Sequence, residues 1–186
     1  RVRRYYEQGS YPTMEYNSSR TNNHFPTTSM YTTLSSIYNL TNYDFVIDFK
    51  MYLGAPTSYT SLNSNAWYVA ERGTTPGKTA ADSYNNAVSF VGSVGLMYPS
   101  DYGYAVLSSD CARTIEPYNY YNTAACYTNN WLFQGSSKRQ WLLTPDVSYV
   151  EHVFYIEPSG QVFDYYGNLW GSSIAISNAY SPVMAL

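Results

Sequence analysis

Few residues of this 186-residue chain combine the type and spacing needed to make or break a bond. A serine nucleophile needs a base within reach and a strained turn to present its hydroxyl. No G-x-S-x-G occurs, and the two histidines, His24 and His152, stand in polar contexts. Phosphate-cradling loops fail as well: Gly92-Ser93-Val94-Gly95 lacks the lysine and the helix entry that a P-loop requires, and there is no G-x-G-x-x-G, so no nucleotide cofactor is implied. Glu116, Asp146, Glu151, Glu157 and Asp164 are scattered along the chain. Glycoside hydrolysis would need two of them facing each other across a sugar, and their spacing points to no particular pair.

Glu157-Pro158-Ser159 and Thr144-Pro145-Asp146 place a carboxylate beside proline, as calcium-binding sugar sites do. A hard cation wants roughly six to eight oxygens, and no cluster of neighbouring acids supplies the rest, so both prolines read as turn formers and no metal is expected. Cys111 and Cys126 lie 15 residues apart among Pro, Asn and Tyr. A disulfide closing that loop would stabilise by roughly 3 kcal/mol. Free buried thiols are the other reading, while zinc is disfavoured because neither histidine is near in sequence. A disulfide would imply an oxidising compartment.

What is abundant is polar and uncharged: 23 Tyr, 23 Ser, 16 Thr and 15 Asn. That is the vocabulary of binding loops, in which tyrosine gives rigid amphipathic contact area and serine and asparagine give adaptable hydrogen bonds. Only 12% of residues are charged, for a net charge of −3, so nothing can neutralise a row of phosphates and nucleic acid is excluded as a partner. A disordered polar-aromatic tract is excluded for most of the chain, because 45% of residues are hydrophobic and four are Trp. The final stretch, Tyr165 to Leu186, carries no charge, yet Asn168, Ser172, Ser173, Ser177, Asn178 and Pro182 would go unsatisfied in hydrocarbon. No transmembrane span and no direct membrane contact is expected. The sequence opens on Arg1 with no initiator Met and no signal peptide, which reads as a fragment or the mature portion of a longer chain whose targeting segment lies outside it.

The elements that must position any site are short. Residues 1–28 show no apolar period and read as a flexible linker or stalk. Met30, Leu34, Ile37 and Tyr38 fall on helical spacing, so a short helix is expected from Met30 to Leu40. Phe45 to Leu53 reads as a strand, Trp67 to Ala70 as another, and Ala87 to Tyr98 as a third; a short helix capped at Ser100-Asp101 follows. Trp131-Leu132-Phe133 and Trp141-Leu142-Leu143 read as aromatic-led strands, and the tail as strands Val150 to Glu157, Gln161 to Tyr165 and a closing one ending at Leu186. The sum is a β-dominated α+β domain over 67–186, with 29–66 an N-terminal extension packed on it. Trp67, Trp131, Trp141, Phe45, Phe49 and Phe90 sit in apolar clusters and are expected in the core.

The tail differs. If Gly160 turns a hairpin and Val162 points inward, alternation sends Gln161, Phe163 and Tyr165 to the other face, where the next loop adds Tyr166, Asn168, Leu169 and Trp170. On the preceding strand Ile156 is expected to face in, and Tyr155 and Glu157 out, with His152 and Tyr149 near the same patch. An aromatic centre with a polar rim is how ligand-binding surfaces are built. The competing explanation is that these rings meet a sister domain or a further part of the chain.

Three stretches of this tail, Trp141-Leu142-Leu143-Thr144-Pro145, Val153-Phe154-Tyr155-Ile156 with Ser159-Gly160-Gln161-Val162, and Pro182-Val183-Met184-Ala185-Leu186, together resemble a bacterial C-type-lectin-like family with W-L-x-[ST]-P, G-x-V and V-R-P-V-x-x-L motifs. Upstream, Glu71-Arg72-Gly73-Thr74, the run Val94 to Ala105 and the segment Cys126 to Trp131 are similar to secreted or surface proteins, often with pilin-like N-termini. Ser181 stands where the arginine of the last motif usually is, so any ion pair of that arginine is absent. The resemblance implies a C-type-lectin-like fold used outside the cell, on a cell surface or phage particle, as a non-enzymatic display scaffold that binds protein or glycan without a cofactor. Some such proteins are targets of diversity-generating retroelements, which enrich Asn, Tyr and Ser on one face. Two alternatives stay open: a pilin-like or virion-decorating subunit whose aromatic tail packs on neighbours, and an enzyme by fold analogy to C-type-lectin-like oxidases.

Overall fold

The computed structural model describes residues 2–4, 13–19, 23–39, 41–58, 62–76, 87–115, 124–133, 139–150, 152–163, 178–179 and 182–185. Within the first 28 residues, expected as a flexible stalk, the described ones belong to the fold. Val2–Arg4 forms β1, antiparallel to Pro182–Ala185, and Thr13–Met14 forms β2, antiparallel to Asn178–Ala179. Tyr16 and Phe25 are fully buried. Its described residues supply single apolar plugs, Tyr16 and Phe25, to a core built by other elements, so no period betrays them.

Thr28 starts α1 (Ser29–Ile37): its hydroxyl accepts the Tyr31 N–H at 3.2 Å and donates to the Phe25 carbonyl at 2.7 Å. Met30 and Leu34 turn inward on the expected spacing. The helix stops at Ile37 because the side-chain amides of Asn39 and Asn42 donate to the carbonyls of Ser35, Ser36 and Ile37, satisfying its last turn. Of Phe45 to Leu53 only β3 (Phe49–Tyr52) is strand; Phe45 is exposed, contrary to its expected core place, while Phe49 and Phe90 pack half-buried against the core.

Trp67 to Ala70, expected as a strand, is the middle of helix α2 (Ser64–Glu71). Asn63 Oδ1 accepts the Ala66 N–H at 2.9 Å and caps it. The inward residues are Ser64, Trp67 and Glu71, a helical stripe too polar for an apolar period to reveal. A β-carbon on Gly54 would stand 2.5 Å from the Ala70 carbonyl oxygen, so only glycine lets this loop donate its N–H to Glu71 O at 2.9 Å. Ala87 to Tyr98, expected as one strand, divides into β4 (Ser89–Gly92), antiparallel to β3, and β5 (Gly95–Leu96), in another sheet. Between them the Ser93 hydroxyl donates to the Tyr38 carbonyl at 2.6 Å. Helix α3 (Pro99–Tyr104) opens at Tyr98, two residues before the expected cap, with Pro99 in its first position and Asp101 Oδ2 accepting the Tyr98 N–H at 3.0 Å.

Helix α4 (Ala124–Thr128) carries Cys126, and Trp131 to Phe133, expected as a strand, forms a turn after it. The strands β6 (Gln140–Pro145), β7 (Val153–Ile156) and β8 (Val162–Phe163) follow as antiparallel neighbours, with Gly160 at φ 86° turning β7 into β8. β9 (Asn178–Ala179) and β10 (Pro182–Ala185) complete the set. One sheet runs β1-β10-β5, a second β2-β9-β6-β7-β8 with β6 and β9 parallel, and a third pairs β3 with β4.

In the five-stranded sheet, β6 and β7 are buried on both faces. Trp141, Leu143, Val153 and Tyr155 face one cluster with Tyr16, Phe25, Met30, Leu34 and Met51; Leu142, Phe154, Ile156 and Val162 face the other with Trp67, Met97, Tyr102 and Ile115. Strand alternation holds, but it sorts side chains between two cores instead of between core and water. Residues from all three expected segments share the first cluster, from Tyr16 through Met30 and Leu53 to Met184. The architecture is α+β and strand-rich, with short, mostly antiparallel strands and few short helices.

Candidate ligand-binding surface

The loop joining β6 to β7 takes its shape from two polar side chains. Asp146 Oδ1 accepts the N–H of Tyr149 at 3.0 Å and that of Ser148, an Asx turn, and the Asp146 N–H donates to the His152 carbonyl at 3.1 Å. Asn23, fully buried, pins the same loop from beneath: its amide nitrogen lies 2.9 Å from the carbonyl oxygen of Asp146, 3.0 Å from that of Tyr149 and 2.8 Å from that of His152. Two protons serve three acceptors, so the amide nitrogen is fully committed. Tyr149 is left pointing outward, 46% exposed, its ring 4.8 Å from that of half-buried His152 at 34°. Nothing around Asn23 in the sequence marks it, because its partners lie 123 to 129 residues away.

Along β7 the expected outward face is corrected. Tyr155 is 2% exposed and stands between Trp141 on β6 and Phe163 on β8, with ring centroids 6.0 and 6.4 Å away; Tyr16 closes the row at 5.7 Å from Trp141. Gln161 is also buried, its Oε1 accepting the Ser159 hydroxyl at 3.1 Å. Phe163 on the edge strand is half-buried, the outermost rung. Glu157 lies partly exposed past the far end of β7, paired at 3.0 Å with Arg139, whose guanidinium sits 5.2 Å from the Tyr155 ring centre. Roughly 17 Å of extended chain separates it from His152, so Tyr149 and His152 form one locus and Glu157 and Arg139 another. Tyr165, Tyr166, Asn168, Leu169 and Trp170 lie outside the described residues.

Trp131, expected in the core, is 74% exposed. Asn130 and Leu132 on either side are buried, which turns the indole between them to water. Its backbone is fixed: the Trp131 N–H donates to Ala105 O at 3.0 Å, Asn130 Oδ1 accepts the Leu132 N–H at 2.9 Å, and Asn130 Nδ2 donates to Tyr102 O at 2.8 Å. Tyr102 in turn donates its hydroxyl to Gly160 O at 2.7 Å, in the β7–β8 turn, so Trp131 sits toward the end of β7 away from Tyr149. Cys111 and Cys126 lie at disulfide-bonding distance, 2.11 Å between sulfurs, and anchor α4 just ahead of this turn.

The motif Glu71-Arg72 also takes on a definite shape. The Glu71 carboxylate accepts the Ser100 N–H at 2.9 Å and the Ser100 hydroxyl, and pairs with Arg72 at 3.1 Å. Burial pushes its carboxyl up to about 7, with the Ser100 hydrogen bonds and Arg72 pulling the other way. The Arg72 guanidinium lies 3.6, 5.1 and 5.6 Å from the ring centres of Tyr68, Tyr98 and Tyr52. A serine beside a carboxylate could do acid–base chemistry only where substrate can reach it. Neither Glu71 nor Ser100 has any exposed surface, so the pair is a clamp holding the end of α2 to the start of α3.

Among the described residues, no three of His, Cys, Asp and Glu are grouped as a metal site requires, and no helix is long and apolar enough to cross a membrane. Comparison of the chain with protein-family models, with curated proteins and with solved structures finds no match in any of the three.

Proposed function

We propose that this chain is an extracellular, non-enzymatic binding domain that grips protein or glycan through rigidly held aromatic side chains. The observation that carries the reading is the Asp146–His152 loop, where Tyr149 is offered to solvent beside half-buried His152, their rings tilted by 34°, on a backbone fixed by Asn23 and Asp146. A ring held this way loses little freedom on binding, so contact area converts efficiently into affinity. Among the described residues, the Glu71–Ser100 pair is buried and Glu157 is paired with Arg139, which favours binding over catalysis.

The C-type-lectin-like assignment rests on the resemblance, and so does diversification by a retroelement. The motifs behind it coincide with framework: Trp141 to Pro145 is β6, Val153 to Ile156 is β7, and Gly160 is the left-handed turn residue. They therefore support a shared fold and leave the ligand to the loops. A pilin-like or virion-decorating role is favoured by one feature, the exposed Phe45 and Ile47 beside the strand pair β1–β10, which assembly would cover. Sedimentation in dilute solution separates the readings: a display domain stays a stable monomer, an obligate assembly subunit does not. The binding reading is tested by screening the chain on glycan and protein arrays beside Tyr149→Ala; a ligand retained equally by both removes this loop from the site.

A further inference from the structure

Arg72 closes helix α2 with only part of its guanidinium in use. Nη1 donates to the Tyr68 carbonyl at 3.3 Å and to the buried Glu71 carboxylate at 3.1 Å, while Cζ lies 3.6 Å from the Tyr68 ring centre. Among the described residues no acceptor meets Nε or Nη2, and the side chain is 25% exposed. Those two N–H groups are the side edge of the fork, parallel donors whose spacing matches the two oxygens of a carboxylate. Tyr68 and Glu71 hold the guanidinium in place, so this edge is offered in a fixed position and little freedom is lost when it is used.

A second cation shares an aromatic ring with it. Lys50 Nζ lies 5.1 Å from the ring centre of Tyr52, and the Arg72 guanidinium lies 5.6 Å from the same centre. Lys50 is exposed, and among the described residues no carboxylate pairs with it. Two acids act on Arg72, and neither fills its edge. Glu71 has no exposed surface and spends its oxygens on Ser100 and on Nη1. Asp101 is exposed, turns Oδ2 to the Tyr98 N–H at 3.0 Å, and makes no ion pair with Arg72. Both temper the positive charge, so every further negative charge on a ligand meets added repulsion, which favours a monoanion over phosphate. One planar bidentate edge, with an unpaired ammonium on the same ring, fits one carboxylate.

We propose that the outer edge of Arg72, with Lys50 beside the same Tyr52 ring, is a binding site for a single carboxylate group, separate from the Tyr149 loop. The test titrates the intact chain at low salt with acetate, D-glucuronate, N-acetylglutamate α-amide, inorganic phosphate and glucose, followed by NMR at the Arg72 Nε–H and at the backbone amides of positions 50 and 72. The carboxylates shift these signals saturably, glucose does not, and phosphate binds more weakly than acetate. Lys50→Ala, at an exposed position, weakens acetate about threefold with an unchanged melting temperature. Arg72→Lys keeps the charge beside Glu71, loses the edge, and weakens acetate about tenfold. Glucuronate bound more tightly than the glutamate amide makes an acidic sugar the source of the carboxylate, and the reverse order makes it an acidic peptide. No saturable shift from any carboxylate overturns the proposal; so does phosphate binding at least as tight as acetate, or an acetate affinity indifferent to Arg72→Lys. Tyr149→Ala leaves this response unchanged, so failure of this site and failure of the loop site are told apart.

Discussion

The side-chain amide of Asn23 donates to the main-chain carbonyl of Asp146 at 2.9 Å, across 123 residues of sequence. Through this contact and its two companions, a residue outside any helix or strand fixes the loop that carries Tyr149.

Asn23→Ala should therefore cost about 1–3 kcal/mol, because it leaves three buried or half-buried carbonyls short of a donor. Asn23→Asp should cost at least as much, since a carboxylate brings acceptors to acceptors. Urea unfolding of the two variants checks this, and a loss under about 0.5 kcal/mol for either would mean the loop holds itself.

Tyr149 and Tyr155 lie six positions apart and should behave oppositely. Tyr155→Ala empties a place between Trp141 and Phe163 and should destabilise by about 3–5 kcal/mol. Tyr149→Ala should change stability by no more than about 0.5 kcal/mol, being exposed. Thermal and denaturant unfolding of both gives the contrast.

Where the sequence could be read and where it could not follows from the same physics. Helix α1 was legible because Met30 and Leu34 repeat at helical spacing beside polar residues, and the hairpin at Gly160 because a glycine interrupts two apolar runs. Helix α2 was not, since its inward stripe holds Ser64 and Glu71, and their burial depends on Arg113 and Ser100, far away in the chain. Tyr155 was misplaced because alternation cannot distinguish a sheet with one wet face from one with two cores. Trp131 was misplaced for the converse reason: its apolar neighbours in sequence suggest a strand, yet a turn fixed by Asn130 points it outward.

The Glu71 clamp makes stability depend on pH in a stated direction. Burial raises its carboxyl from the ordinary 4.5 to about 7, so between those values the folded chain holds a proton that the unfolded chain has released. Stability from this group is fully present below pH 4.5 and is lost as pH rises toward and through about 7, by at most about 3 kcal/mol. Glu71→Gln should flatten that slope while keeping the Ser100 contacts. Unfolding free energies of both chains across the window decide it, and identical slopes would assign the pH dependence elsewhere.

Replacing Cys111 and Cys126 together by serine should cost about 3 kcal/mol, the loop-closure value for a cross-link of this span. Reducing agent should give the same loss in the wild-type chain and none in the variant. Equal stability with and without reductant would show that the sulfurs are not bonded in solution.

The most direct test is the dissociation constant of a ligand identified on the arrays, measured by calorimetry for the wild-type chain and for Tyr149→Ala/His152→Ala, with matched melting temperatures. A Tyr149–His152 pair that anchors the ligand predicts weakening of about 10-fold or more in the double variant. Equal affinity in the two chains would contradict it and leave the Asp146–His152 loop as framework alone.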